Sequence, residues 1–66
     1  MFLNIECIPG PSRTISRYWV GDEDESTVYD DRIIAIVVDD AKQADAWIDA
    51  NSYTTEAGFW LLHPGL

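Results

Sequence analysis

The apolar positions change period along the chain, and each period predicts a different element. Residues 2 to 8, FLNIECI, alternate Leu3, Ile5 and Cys7 against Phe2, Asn4 and Glu6; a period of two is that of a strand with one buried face. The reading places it at or near a sheet edge. Pro9-Gly10-Pro11-Ser12 forces a turn, because proline fixes φ and removes a donor. A second strand follows at about 14 to 20, TISRYWV, with Ile15 and Trp19 facing one way and Tyr18 and Val20 the other, and the two strands form an antiparallel hairpin. Arg32 to Val38, RIIAIVV, is short, mostly β-branched and too continuous for one-sided burial, so it reads as the strand in the sheet interior with both faces covered. Asp39-Asp40 then offers an N-cap to a helix ending near Ala50 or Asn51. On that helix Ala41, Ala44, Trp47 and Ile48 share one side, with Lys42, Asp45 and Asp49 on another. A last strand spans about Glu56 to Leu62 and stops at His63-Pro64-Gly65. These elements predict a single α+β domain over residues 1–66: an antiparallel sheet of about four strands with one main helix packed on one face.

Composition narrows the function more than the fold. Twelve acids against four Lys or Arg leave a formal charge of −8 on 66 residues, yet 47% of the chain is apolar and three Trp, three Tyr and two Phe are present. Disordered acidic tails lack that apolar supply, so this chain folds. A chain this short buries only about 60% of its unfolded surface, which leaves little room for an enclosed active site. Four scattered cations make no stripe for phosphate neutralisation, and the net field repels nucleic acid and anionic lipid alike. The fitting partner is cationic. Cys7 is the single cysteine, which excludes an internal disulfide and suits a reducing cytosol. The N-terminus has no basic segment and no apolar run approaches the roughly 20 residues that span a bilayer, so neither secretion nor membrane insertion is expected.

Specific chemistry finds weak support in the residues. Asp22, Asp24, Ser26 and Asp30 fall at positions 1, 3, 5 and 9 of a calcium-loop frame, but position 6 is Thr27 instead of glycine and position 12 is Ile33 instead of glutamate. No metal site and no cofactor is assigned. A nucleophile would need Cys7 or a serine beside a base, and the one histidine is His63; a small apolar filler and a strand-end polar residue are their ordinary roles, and no catalytic residue is assigned. Trp19, Trp47 and Trp60 read as core instead of base-stacking platforms, since such platforms also need a cationic groove; one of them at a sheet edge would serve as an interface anchor.

The acids carry the most information. Ten of the twelve lie between Asp22 and Asp49, and six fall within residues 22 to 31, an exposed loop in this reading. A solubility coat is the ordinary meaning of such charge. Against it, Asp45 and Asp49 are like charges four apart on a helix, and Asp49 lies near the helix C-terminus, where the dipole disfavours an anion. Carboxylates on alternate strand residues stand about 6.5 to 7 Å apart and those four apart on a helix about 6 Å, comparable with phosphates along a nucleic-acid strand. The acids are therefore weighed evenly as a coat and as an acidic interaction surface.

Taken whole, through FLNIECIPGPSR, VGDEDESTVYDD, RIIAIVVDD, ADAWIDAN and FWLLHPG, the chain resembles the small acidic phage-encoded anti-CRISPR proteins, in particular type I-C inhibitors. The resemblance implies a non-enzymatic viral inhibitor, monomeric, in the cytoplasm of an infected bacterial cell. It would bind a Cascade-like surveillance complex and block target DNA, the partner being a host effector with a cationic DNA-binding surface. Direct nucleic-acid or membrane binding is not expected. The contact residues would be Asp22, Glu23, Asp24, Glu25, Asp30 and Asp31 in the loop, with Asp45 and Asp49 on the helix. The alternative is a small regulatory or immunity-type module that recognises a folded partner through an apolar patch around Tyr18, Tyr29 or Tyr53.

Overall fold

A computed structural model describes residues 1–27 and 32–64. The elements run β1 (Phe2–Cys7), β2 (Ile15–Gly21), a 3-10 turn (Glu25–Thr27), β3 (Ile33–Val37), α1 (Ala41–Asn51), β4 (Ser52–Thr54) and β5 (Trp60–Leu62). The α+β class, the antiparallel pairing and the one helix are those expected. The strands, however, are dealt into two sheets, one three-stranded in the order β2-β1-β3 and one two-stranded, β4-β5. The short strand β4 has no sequence signature, because three residues, Ser52-Tyr53-Thr54, are too few to show a period.

Strand β1 is central, not at the edge, pairing antiparallel with β2 on one side and β3 on the other. Its alternation places Leu3 and Ile5, both fully buried, on the face that meets the helix residues Ala44 and Ile48. Ile34, Ile36, Tyr18 and Val20 extend this face laterally, and Ile15, Val38, Leu62 and Trp60 close it. Strand β3, expected in the interior, is an edge. Its composition follows from its faces instead: Ile34 and Ile36 turn to the helix side, Ile33 is buried on the other side, and Val37 at the end is 73% exposed. The backbone N–H of Val38 donates to the Met1 carbonyl at 3.0 Å, tying the end of β3 to the start of β1.

A bulge in β2 corrects a second expectation. Glu6 pairs with Arg17 but Cys7 pairs with Ile15, so Ser16 is the extra residue. One inserted residue reverses the facing of everything beyond it. Ile15 therefore joins Tyr18 and Val20 on the core side, and Trp19 is left on the opposite face. There the Arg17 guanidinium lies 4.5 Å from the Trp19 ring centroid and pairs with Glu6 at 2.9 Å. Trp47 and Trp60 pack against the core as expected; Trp19 does not.

The helix begins where its cap predicts. Asp40 is extended (φ −158°, ψ 175°) and its Oδ1 accepts the Gln43 N–H at 2.7 Å. Ala44 and Ile48 are buried, while Ala41, placed on the packing side by the wheel, is exposed in the first turn. At the other end the side chains of Asn51 and Ser52 donate to the carbonyls of Trp47 and Ile48, satisfying acceptors that a helix terminus leaves open. Ser52 Oγ also accepts the Trp60 indole N–H at 3.1 Å, so one hydroxyl joins helix end, β4 and β5. The β4–β5 connection turns at Gly58, whose φ of 91° is the left-handed region that glycine enters without strain. The small sheet is docked to the large one by the Leu62 N–H to Arg13 carbonyl bond at 3.0 Å and a bridge between Thr14 and Leu61.

Candidate functional site

The acidic segment is a crossover, not a free loop. Since β2 and β3 both run antiparallel to β1, they are parallel to each other, and the chain leaving β2 must travel back along the sheet before entering β3. The helix covers one face. The segment therefore crosses the other, where the 3-10 turn contacts β3. It is held there by Asn4, a fully buried side chain in the middle of β1. The Asn4 amide donates to the Glu23 carbonyl at 3.0 Å and its Oδ1 accepts the Glu25 N–H at 3.0 Å. This two-point clamp mimics one rung of a sheet with a side chain. Asp24 adds local order, its Oδ1 accepting both the N–H (3.0 Å) and the hydroxyl of Ser26 and so starting the 3-10 turn.

The consequence is that the carboxylates sit on an ordered backbone. Asp22 and Glu23 are exposed, whereas Asp24 and Glu25 are half-buried, which corrects the expectation that this stretch buries nothing. Asp30 and Asp31, and Tyr29 with them, lie outside the described residues. Asp45 and Asp49 are exposed on α1, on the other side of the sheet from the crossover. The described acids among the expected contact residues therefore fall into two groups, Asp22 to Glu25 on one side of the sheet and Asp45 with Asp49 on the other.

The helix-side patch has aromatic neighbours that the pattern of charges did not reveal. An open groove of about 570 Å³ is lined by Asp45 and Asp49, by Tyr18, Tyr53 and Trp60, and by the α1–β4 junction at Ser52. Tyr18 and Trp60 meet edge to face with centroids 5.4 Å apart, and the Tyr18 hydroxyl reaches Asp45 Oδ1 at 3.5 Å. Tyr53 stacks on His63 at 4.8 Å. The groove depends on β4, the strand with no sequence signature, so no linear signal joins its parts. Asn4 left none either: the alternation groups it with Phe2 and Glu6 on the side of β1 away from Leu3 and Ile5, and it is the crossover lying over that side that buries it.

No protein family, curated protein or solved structure matches this chain. The chemistry is read from its own side chains. Among the described residues no three His, Cys, Asp or Glu side chains converge as a metal site, and Ile33, twelfth in the calcium frame, is buried in β3. No helix among the described residues is long and apolar enough to cross a membrane. Cys7 lines a second cleft of about 240 Å³ with Arg13 and Arg32, whose lining does not include His63. Burial pushes the Cys7 thiol above its ordinary pKa, and the nearby Arg13 charge only partly offsets this.

A protonated thiol is a poor nucleophile. Alkylation of native Cys7 by iodoacetamide is expected to be slower than in the urea-unfolded chain at pH 8, and to keep rising at pH values where the unfolded thiol has levelled. Equal rates and midpoints would contradict the burial of this group. The linkage has a definite sign. The folded chain holds the thiol proton more tightly than the unfolded one, so this contribution to stability is complete below the unfolded thiol's pKa and is lost as pH rises through the folded one.

Proposed function

We propose that this protein is a non-enzymatic anti-CRISPR inhibitor that binds a Cascade-like surveillance complex in the bacterial cytoplasm and keeps target DNA out by presenting acidic side chains to the complex's cationic DNA-binding surface. The observation that carries the reading is the Asn4 clamp. A solubility coat needs no fixed backbone, whereas a surface that substitutes for phosphates gains from one, since less ordering remains to be done on binding. The crossover holds Asp22 to Glu25 in this way, on a body whose net charge of −8 steers it to a positive channel. Asp45 and Asp49 form the second, helix-side patch, and Asp30 and Asp31 continue the crossover in sequence.

The test removes charge without touching the clamp, which uses backbone groups of Glu23 and Glu25. Asp22→Asn with Glu23→Gln, then the full set with Asp24→Asn and Glu25→Gln, should weaken inhibition of target-DNA binding at least tenfold for the full set. The same changes should flatten its salt dependence, as expected when fewer screened charges contribute. Undiminished inhibition by the quadruple variant would overturn the reading.

One observation favours the second reading, a module that recognises a folded protein. Tyr18 and Tyr53, two of the three tyrosines expected around an apolar patch, share a groove; the third, Tyr29, lies outside the described residues. A complex made through that groove alone would lose little affinity between low and high salt and would survive the quadruple substitution.

A further inference from the structure

We propose that the groove between α1 and the β4–β5 sheet is a receptor for a single arginine side chain presented by a partner protein. The proposal rests on the reading above for the identity of the partner, but the chemistry of the groove stands on its own. One open depression is lined by the carboxylates of Asp45 and Asp49, the rings of Tyr18, Tyr53 and Trp60, and the hydroxyl-bearing Ser52 and Thr54, with the aliphatic Ile48 between them. Its lining contains no lysine or arginine. Negative charge and aromatic faces are the two features that a cation seeks together, the first by Coulomb attraction and the second through the ring quadrupole.

The protein already builds this arrangement once with an internal cation. On the opposite face the Arg17 guanidinium lies 4.5 Å from the Trp19 centroid while its Nε donates to Glu6 at 2.9 Å. Indole, carboxylate and guanidinium complete one another there. The groove repeats the indole and the carboxylates and adds two phenols.

Arginine fits this set better than lysine. Its plane stacks on a ring while its fork of N–H donors addresses carboxylates at the rim, whereas an ammonium is a compact, strongly hydrated point charge. The local geometry supports an external occupant. The Tyr18 hydroxyl makes only a 3.5 Å contact to Asp45, the Trp60 N–H is spent on Ser52, and Asp45, Asp49 and Tyr53 are all exposed, which leaves carboxylate oxygens and the Tyr53 ring surface not stacked on His63 to receive a guanidinium.

The experiment uses the intact protein and blocked amino acids as probes. N-acetyl-arginine methylamide, the lysine analogue and the uncharged citrulline analogue are each titrated while the Trp60 indole and the tyrosine ring resonances are followed by NMR. Saturable shifts of Trp60, Tyr18 and Tyr53 with arginine are expected, with at least fivefold weaker binding of citrulline and at least twofold weaker binding of lysine. Asp45→Asn with Asp49→Asn, both exposed and therefore tolerated by the fold, should weaken arginine binding at least fivefold. Asp22→Asn with Glu23→Gln on the other face should change it by less than twofold.

Absent shifts, or citrulline or lysine binding as well as arginine, would overturn the assignment. So would equal weakening by the crossover substitutions, which would reduce the effect to net charge. The two readings fail separately: arginine binding in the groove with no inhibition of any CRISPR complex would leave this site standing and remove the proposed function, and inhibition without arginine binding would do the reverse.

Discussion

Replacing Asn4 with leucine should lower the stability of the protein by about 2–3 kcal/mol, although the new side chain has the same branched heavy-atom skeleton and is more apolar. Leucine would bury no polar atom of its own, but it would strip partners from the Glu23 carbonyl and the Glu25 N–H, which the Asn4 amide satisfies at 3.0 Å each. An orphaned buried group costs about 1–3 kcal/mol, and the lower part of that range applies because the crossover can lift into water. For a domain of this size each kcal/mol moves the melting temperature by about 4–8 °C. A drop of roughly 10–20 °C is expected in a thermal melt, together with lost hydrogen-exchange protection at the Glu25 amide. An unchanged melt would mean that the crossover is not held by Asn4. Because the same clamp orders Asp22 to Glu25, the proposed function predicts weaker inhibition by this variant at temperatures where it is still folded.

The second large effect lies at Leu3. This side chain is fully buried in the middle of the central strand, against the face that α1 covers. Truncation to alanine costs about 2–5 kcal/mol through lost transfer energy and the cavity left behind. A chain of 66 residues has on the order of 3–10 kcal/mol in total, so Leu3→Ala should be largely unfolded at 37 °C by circular dichroism. Val37→Thr is the contrasting change. Val37 belongs to the most apolar run in the chain, but it is 73% exposed on an edge strand, and its substitution should alter stability by less than about 0.5 kcal/mol. Similar losses from the two variants would mean that Val37 is buried and not exposed.

The contrast between Leu3 and Val37 shows what a linear pattern can report. Hydrophobic periodicity records which faces of a strand are covered, and on that point the core face of β1 and the two occupied faces of β3 are legible, whereas β2 is not, because of its bulge. It carries no information on lateral order, because every interior backbone rung looks alike whichever neighbour supplies it. RIIAIVV was therefore read as central when its two faces were merely both occupied, one by the helix side of the core and one by the crossover. The bulge at Ser16 was invisible for a related reason, since an extra residue leaves composition intact and changes only the facing of what lies beyond it.

The candidate site divides in the same way. The acids themselves, their concentration between Asp22 and Asp49 and the Asp40 cap were all written in the chain, because charge and capping depend on residue type and short spacing. Their assembly into one surface was not, and the two faces of the sheet separate Asp22 to Glu25 from Asp45 and Asp49.

By itself the sequence determined the class of the fold, the position and cap of the helix, the turn at Pro9 to Ser12 and the strongly negative field, all of which follow from local propensity and composition; the turn at Glu56 to Gly58 falls where a strand was expected. Only the tertiary structure decided that β1 is central, that the acidic segment is a clamped crossover and that Asp45 and Asp49 border an aromatic groove. Each of those depends on contacts between residues distant in the chain, such as Asn4 with Glu23 and Tyr18 with Trp60, and no local period encodes which distant partner a side chain will meet.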